Sequence, residues 1–334
     1  MNGMNPYPAR HSRRGIALFA TVLMLVLLVA LFLRIDDEML LQNRMDRRQN
    51  QAFQARMGAR SGIAAGLALL YNDRNPVDHL LEPWAVMSSA TMEAPMRIGD
   101  ATTTFRVTDE FGKLNVNLID EKTLVAVLEE AKLGISERSS LLGEDIDIQG
   151  PQRLAHRILD YIDRDEEARP FGGEFEGYER APGKKAKNGP LQDIRELSNI
   201  PGIRPDLLTA SDTRPGLFDL LTIYGDGPIN LNTARHEVIR GIPGPPGYSY
   251  DKREKFFEAL FKILPITANT NLRDFISRYD YHISKEYYLR FVVYSTCFRI
   301  ESIAKVDEVE SRMVALVRRD RFGRCWLDRL SELP

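Results

Sequence analysis

The most regular pattern in the chain is an apolar segment near its N-terminus. Residues Ile16 to Leu33 are apolar except for Thr21. About 18 residues of helix extend roughly 27 Å, which is close to the thickness of the hydrocarbon core of a bilayer. Arg13 and Arg14 precede the segment, and the positive-inside tendency keeps such a basic flank in the cytoplasm. The pattern predicts one membrane-spanning helix, with the rest of the chain on the outer side.

The polar sequence after the apolar segment argues against a removable signal peptide. Residues Arg34 to Glu38 contain no small-x-small cleavage site. From Asp36 to about Tyr71 there is no proline, and apolar residues recur at roughly helical spacing. We therefore expect one continuous helix, apolar in its first half and amphipathic in its second, that ends before Pro76. A plain single-pass anchor is the alternative interpretation.

Alternating residues predict strands on either side of the middle of the chain. Residues 102–109 alternate β-branched and aromatic side chains with polar ones, and residues 288–299, 300–305, 310–318 and 325–327 form a second group of strands. Short connections between them favour an antiparallel meander. The sequence therefore predicts both helices and an antiparallel sheet, which is an α+β composition.

Two segments in the middle of the chain have the pattern of helix–hairpin–helix units. Residues 191–208 and 234–264 each contain two stretches of helical apolar spacing, separated by a Pro-Gly turn. In units that bind nucleic acid, a second glycine lets the hairpin backbone approach a phosphate. Arg204 and Pro246 occupy those positions here. We interpret the units as packing elements of a SAM-like domain, with nucleic-acid binding as the alternative.

A short segment of the chain is repeated. Leu114 to Leu118 has an echo at Ile229 to Thr233, and each copy precedes a stretch of helical apolar spacing. The echo indicates a weak internal duplication.

Together these features resemble the minor pseudopilin K family of type II secretion systems. Arg13-Arg14-Gly15-Ile16 is similar to a prepilin peptidase site, so the resemblance implies cleavage between Gly15 and Ile16. Most pilins have glutamate as the fifth mature residue; Ala20 stands there in this chain, and members of this family typically lack that glutamate. An ordered series within residues 111–232 is also similar to the family: Phe111-Gly112-Lys113-Leu114-Asn115-Val116-Asn117, Ile158-Leu159-Asp160, Lys187-Asn188-Gly189-Pro190, Ile200-Pro201-Gly202-Ile203 and Ile229-Asn230-Leu231-Asn232.

The resemblance implies an α+β, type IV pilin-like fold. In this fold the long N-terminal helix packs on a small antiparallel sheet, and a large α-helical, SAM-like domain is inserted between strands. The predicted parts are a leader peptide (1–15), the transmembrane part of the helix (16–33), its amphipathic half with the first strands (34–110), the inserted domain (111–286) and the C-terminal strands (287–334).

The resemblance also implies a function without enzymatic activity. The chain would be a minor pseudopilin at the tip of a type II secretion pseudopilus, held in the bacterial inner membrane with most of its length in the periplasm. The implied partners are other minor pseudopilins, prepilin peptidase, and an exported substrate or the outer-membrane channel. The alternative is a membrane-anchored nucleic-acid-binding protein of the DNA-uptake type.

An acidic segment at residues 160–179 is the candidate metal site. Calcium prefers oxygen ligands and accepts irregular geometry. The segment lacks the ligand spacing of an EF-hand, and a solvated acidic loop is the ordinary interpretation of such a charge run. The resemblance implies a structural calcium ion in the helical domain. The predicted ligands are Asp163, Asp165, Glu174, Glu176 and Glu179.

Composition and the absence of known motifs limit the functions that remain to be considered. The 45 basic and 47 acidic residues give a formal net charge of -2, so no nucleic-acid partner is expected. The two cysteines, Cys297 and Cys325, either form a disulfide in an oxidising periplasm or stay as thiols. The chain has no GxSxG, HExxH, P-loop or dinucleotide-binding motif. Carboxylates of the acidic segment acting as a glycosidase-like acid–base pair are the remaining enzymatic interpretation, and we expect no enzyme.

Overall fold

The computed structural model describes residues 12–134, 150–172, 186–242, 249–279, 290–320 and 322–333. They form a long N-terminal helix packed on an antiparallel sheet, and a mainly helical region that lies in sequence between two strands of that sheet. Each part has its own apolar core.

Helix α1 (Ser12–Asn72) is the predicted continuous helix. Its 61 residues extend about 90 Å at 1.5 Å per residue. The helix ends before Pro76, as predicted. Every described side chain from residue 17 to residue 50 is exposed, whereas one face is buried from Ala55 onward. Among the described helices, only α1 is long and apolar enough to cross a membrane.

The main sheet consists of five described strands: β1 (Met96–Ile98), β2 (Ala101–Asp109), β7 (Cys297–Val306), β8 (Val309–Arg319) and β9 (Cys325–Leu333). Their order is β1-β2-β7-β8-β9, and all neighbouring strands are antiparallel. Helix α2 (Pro83–Glu93) follows α1 and packs on β2. The ring of Trp84 in α2 contacts Phe298 of β7 edge-on, with 5.4 Å between centroids.

Glycines in α1 let this helix approach the sheet closely. Gly58, Gly62 and Gly66 are four residues apart and therefore lie on one face of the helix. A Cβ atom at Gly62 would lie 2.1 Å from Oγ of Ser302, and one at Gly66 would lie 2.9 Å from Cγ2 of Ile300. The backbone of α1 thus packs on β2 and β7 at a separation that side chains at these positions would prevent.

The inserted region lies between β2 and β7. Its helices are α3 (Glu121–Glu130), α4 (Gly150–Ile162), α5 (Pro205–Leu208), α6 (Leu217–Leu220), α7 (His236–Gly241), α8 (Tyr250–Ile263) and α9 (Asn269–Tyr279). Two short parallel pairs join β3 (Leu114–Asn115) to β4 (Leu221–Thr222) and β5 (Ile229–Asn230) to β6 (Phe291–Val292). Helices α3 and α7, which follow β3 and β5, pack against each other.

The echo between the two Asn-x-Asn segments extends to their hydrogen bonds. Asn117 donates from Nδ2 to the carbonyl of Leu191 at 3.0 Å, and its Oδ1 accepts from the Leu191 amide at 2.8 Å. Asn232 makes the same two bonds with Ile266, at 2.9 and 2.7 Å. In both cases the contacted residue directly follows a proline. The two segments therefore occupy equivalent places in two similar substructures, one containing β3 and α3 and the other containing β5 and α7.

The predicted strand over residues 288–299 is wrong as one element. Residues Phe291–Val292 form β6, which pairs with β5 in the inserted region, and β7 begins only at Cys297. Between them the chain turns, and the Ser295 amide donates to Oδ2 of Asp78 at 2.7 Å. Both stretches are rich in β-branched and aromatic residues, so the sequence pattern does not separate two strands that belong to different sheets.

We expect Gly62→Leu to destabilise the protein by about 1–3 kcal/mol, because the new side chain has to displace Ser302 and push α1 from the sheet. The measurement is chemical denaturation of the detergent-solubilised full chain. Ala68→Leu is the control, since Ala68 is on the exposed face of the same helix and should change stability by less than about 0.5 kcal/mol. Equal losses in the two variants would contradict the close contact.

Candidate functional site

The predicted processing junction, Gly15 and Ile16, lies in the first turns of α1. Directly after it comes an exposed surface that is apolar except for Thr21. Its large residues are each about half exposed or more: Leu18, Phe19, Val22, Leu23, Met24, Leu25, Val26, Leu27, Leu28, Val29, Leu31, Phe32 and Leu33. An apolar surface of this extent is unstable in water and requires lipid or other apolar helices around it.

Arg169 organises the acidic segment after α4. Its Nη1 donates to Oδ1 of Asp160 and to Oδ2 of Asp163, both at 2.6 Å, and its Nε lies 3.5 Å from Oε2 of Glu121. Burial alone would lower the pKa of Arg169, but its hydrogen bonds to Asp163 and Asp160 raise it. Asp160 is fully buried, and the guanidinium compensates its charge. The described part of the segment is thus folded onto α4 and α3.

Gly172 and His156 hold the described end of the acidic segment against α4 and α3. A Cβ atom at Gly172 would lie 1.8 Å from Oδ2 of Asp160, so no other residue fits there without displacing the carboxylate. Nδ1 of His156 accepts from the Phe171 amide at 3.3 Å, and Nε2 lies 3.1 Å from Oε1 of Glu121. This geometry assigns the proton of a neutral imidazole to Nε2, which donates to the glutamate.

Two buried side-chain oxygens near the end of α4 are candidate ligands for a hard cation. Oδ1 of Asp163 and Oδ1 of Asn188 have no hydrogen-bond partner within the described ranges. Asn188 is held beside the end of α4, since its amide donates to the Tyr161 carbonyl at 3.1 Å and its Nδ2 to the Asp165 carbonyl at 2.9 Å. Buried oxygens without a partner are rare and call for a ligand or water. A carboxylate and an amide oxygen are ligands that calcium accepts.

Only part of the predicted ligand set can be placed. Asp163 and Asp165 lie on the segment that Arg169 holds, whereas Glu174, Glu176 and Glu179 lie outside the described residues. Asn188 was not predicted as a ligand. The Lys187-Asn188-Gly189-Pro190 turn was the available signal, and Asn188 adopts the left-handed conformation (φ 48°) that such turns favour.

A second acidic cluster, which the sequence did not predict, lies where α1 ends. Carboxylate oxygens of Asp73, Asp78 and Glu82 all lie within 4.8 Å of one another. Arg319, at the end of β8, enters this cluster: its Nη1 donates to Oδ2 of Asp73 at 2.8 Å, and its Nη2 donates to Oδ1 of Asp78. Its guanidinium also lies 4.7 Å from the ring centroid of Phe298. A resident guanidinium makes this cluster an ion-pair network.

This network has more acidic than basic groups, because the guanidinium of Arg319 lies among the carboxylates of Asp73, Asp78 and Glu82. Burial raises the pKa of Asp78 to about 7, although Arg319 opposes the shift. Burial also raises the pKa of Asp73, again against hydrogen bonding from Arg319. A proton taken up by a carboxylate relieves the excess negative charge in a poorly solvated site.

The same network connects the sheet to the inserted region through Asp109. Oδ2 of Asp109 accepts from Nδ2 of Asn230 at 2.8 Å and from Oγ1 of Thr233 at 2.6 Å. Nδ2 of Asn230 also lies 3.2 Å from the carbonyl of Asp78. Complete burial raises the pKa of Asp109, while these hydrogen bonds lower it less. The junction between the two parts of the chain is therefore polar and buried.

The two cysteines are free thiols in this structure. Cys297 lies on β7 opposite Arg318 of β8, and Cys325 lies on β9 opposite Arg319 of β8. Consecutive residues of a strand point to opposite faces, and β8 separates the two cysteines by about 10 Å. Burial raises the pKa of the Cys297 thiol to about 12.

The first hairpin unit offers a poor phosphate site. It consists of a 3-10 turn (Ile194–Asn199) and the four-residue helix α5, which are shorter than predicted. Arg204 donates from Nε and Nη2 to the two carboxylate oxygens of Asp206, at 3.0 and 3.1 Å. The cation in the hairpin is thus already paired. Pro246 of the second unit lies outside the described residues.

The chain is similar to known proteins in sequence and in fold. Residues 112–212 match the family model described as type II secretion system (T2SS), protein K. The chain is also similar to the type II secretion system protein K of Pseudomonas aeruginosa PAO1, with 28% identity over 174 residues, which cover 51% of this chain and 48% of the relative. The match thus spans about half the length of that relative.

A solved structure shares the fold. A chain in the crystal structure of the GspK-GspI-GspJ complex from the type 2 secretion system of enterotoxigenic Escherichia coli superposes with a TM-score of 0.54 and 17% identity. The match covers 88% of this chain and 99% of that chain. The predicted resemblance to this family and the predicted α+β pilin-like fold class are confirmed.

We expect Arg319→Met to destabilise the protein by about 3–5 kcal/mol, because it leaves the buried carboxylates of Asp73 and Asp78 without their cation. The measurement is the free energy of unfolding from urea titration. In the control, Arg324→Met, the lost partner is Asp320 in an exposed pair at 2.7 Å, so the free energy of unfolding should change much less. A similar small change in both variants would show that the network is not needed for stability.

Proposed function

We propose, from this resemblance in sequence and fold to type II secretion system protein K, that the chain is a minor pseudopilin of a secretion pseudopilus. The observation that carries the proposal is α1: its first part is apolar and exposed, and its last part holds the sheet. A subunit built in this way combines a membrane anchor with a surface for packing against other helices. In this role the chain supplies contacts and no chemistry.

The N-terminal sequence supports processing by prepilin peptidase. Cleavage between Gly15 and Ile16 would remove the basic leader and leave the apolar part of α1 as the new N-terminus. Before assembly this part would anchor the subunit in the bacterial inner membrane, with the sheet and the inserted region in the periplasm. Such a subunit has one membrane span, in agreement with the single candidate among the described helices.

Two features support a position at the tip of the filament. A glutamate in the apolar span is costly unless a neighbouring subunit compensates it, and a subunit with none ahead of it has no use for one. The chain has Ala20 at that position. The inserted region, which has a core of its own, adds bulk beside the sheet and would fit poorly inside a shaft of closely packed subunits.

The proposed partners are other minor pseudopilins. The structurally similar chain was crystallised in a GspK-GspI-GspJ complex, which supports a multi-subunit tip for this chain as well. In that position the chain would initiate or limit the filament and would meet exported substrate or the outer-membrane channel.

We also propose that the acidic segment binds calcium. Asp163 and Asn188 would contribute the two buried oxygens that lack partners within the described residues, together with Asp165 and with Glu174, Glu176 and Glu179 of the predicted set. Arg169 already compensates the other oxygen of Asp163, so the cation would share this carboxylate with the guanidinium. A calcium ion here would join the segment after α4 to the turn at Asn188 and add its binding free energy to folding.

The proposed class predicts processing at one position. Co-expression with prepilin peptidase should reduce the intact mass of the membrane-extracted chain by that of residues 1–15, with or without one added methyl group. Substitution of Gly15 by a large residue should abolish the loss, whereas Gly3→Leu, also in the leader, should not. An unprocessed wild-type chain, alongside a known prepilin that is cleaved, would leave a plain single-pass anchor.

The calcium proposal predicts stabilisation that depends on two side chains. Adding calcium to the EDTA-treated full chain should raise the unfolding free energy by about 2.7 kcal/mol when the ion is at 100 times its dissociation constant. Asp163→Ala and Asn188→Ala should each lose most of this increase. Asp226→Ala, which removes an exposed carboxylate elsewhere, should retain it. The absence of any calcium effect on the wild-type chain would refute the proposal.

A further inference from the structure

Helix α2 has apolar residues on both of its faces. Its inner face packs on β2 through Trp84, Ala85, Ser88 and Thr91. Its outer face carries Pro83, Val86, Met87 and Ala90, at the i, i+3, i+4, i+7 spacing of a helix-packing seam.

The outer apolar surface continues into the turn before the helix. Leu80 and Leu81 are 56% and 70% exposed, and Val86 and Met87 are 50% and 54% exposed. We call these residues the α2 patch: Leu80, Leu81, Pro83, Val86, Met87 and Ala90. Glu82, which is buried, directly precedes α2, and Glu93 is the last residue of the helix. No residue between these two is charged. A surface helix usually presents charged residues to water, and a contiguous apolar patch marks an interaction surface.

The bilayer that holds the N-terminus cannot cover the α2 patch. Thr91 of α2 hydrogen-bonds the backbone of Phe105, and the part of α1 over the same strand contains Gly62 and Gly66. The apolar span of α1 ends near Leu33, which places the patch roughly 45–50 Å farther along a continuous helix. The occupant is therefore a protein surface.

The direction of α2 indicates what kind of protein surface fits. α1 runs along β2 in the same direction, since Gly58 faces Ala101 and Gly66 faces Val107. α2 runs the opposite way, from Trp84 near the end of β2 to Thr91 at Phe105. α1 and α2 are therefore antiparallel to each other along β2. A neighbour anchored in the same membrane by a similar helix would present that helix along α2.

The chemistry of the patch selects an uncharged face of that helix. A charged side chain pressed against Val86 and Met87 would lose its hydration without gaining a partner. The unbranched side chain of Met87 adapts to the shape of an opposing ridge, and the small side chain of Ala90 leaves room for one.

We infer that the α2 patch is the docking surface for the apolar face of the N-terminal helix of a neighbouring pilin-like subunit. This inference rests on the proposed function, because that function supplies neighbours anchored in the same membrane. It adds a second contact surface to the subunit, on the sheet-bearing part of the chain and separate from the membrane-spanning part of α1.

The test is site-specific photo-crosslinking of the full chain in membranes that contain the other minor pseudopilins of the same secretion system. A benzoylphenylalanine replaces Met87. We expect an adduct of this chain with one pilin-like subunit, with the crosslinked peptide in the N-terminal helix of that subunit by mass spectrometry. An adduct with lipid, with a second copy of this chain or within this chain would overturn the inference, as would no adduct.

A second crosslinker position separates the two failures. Met45 is exposed on α1, outside the sheet contact, and should crosslink to a pilin-like subunit if the proposed function is correct. Crosslinking at Met45 but not at Met87 would reject the docking surface and leave the proposed function intact. No crosslinking to any pilin-like subunit at either position would reject both.

A charge variant tests the apolar chemistry. Val86→Asp should lower the crosslinking yield at Met87 about tenfold, because the contact would then desolvate a carboxylate. Val86 is half exposed, so the fold should persist. Leu118→Asp is the matched control, since it places the same charge on an exposed apolar residue of the inserted region. An unchanged yield in Val86→Asp, or an equal loss in both variants, would contradict the inference.

Discussion

The close contact between α1 and the sheet constrains the rest of the molecule. Because Gly58, Gly62 and Gly66 have no side chains, the backbone of α1 lies directly on β2 and β7 and has little freedom to rotate. That position of α1 decides where the chain goes after Asn72. It brings Asp73 and Asp78 to Arg319 at the end of β8, and it leaves space beside α1 for α2 on the same face of the sheet.

The buried junction then couples the sheet to the inserted region. Asp109 ends β2 and accepts hydrogen bonds from Asn230 and Thr233, which belong to the second of the two similar substructures. Each substructure is closed by an asparagine amide that bonds both backbone groups of a distant residue. Directional polar bonds specify one arrangement where apolar contacts alone would tolerate several.

Local sequence patterns predicted much of the fold. The rest depends on contacts between residues that are distant in sequence. The helix to Tyr71, the strand at residues 102–109 and the echo of the Asn-x-Asn segments follow from periodicity and from short motifs, which the sequence displays directly. The ion pair of Arg319 with Asp78 joins residues 241 positions apart, and no local sequence pattern indicates it. The same holds for β6, whose partner is β5 and not the neighbouring β7. At the acidic segment the sequence identified Asp163, but the role of Asn188 depends on a turn that brings it beside α4.

The register of β2 with β7 has a mechanical consequence. Asp109, the last residue of β2, is opposite Phe298, the second residue of β7, so the chain leaves the sheet and re-enters it at the same end of two neighbouring strands. A tensile load applied along α1 would reach the strands through the helix–sheet contact. The inserted region joins these strands through the buried junction at Asp109, so its parts far from that junction lie off the direct path from α1 to the strands. Those parts can change sequence or bind a ligand with little effect on that path.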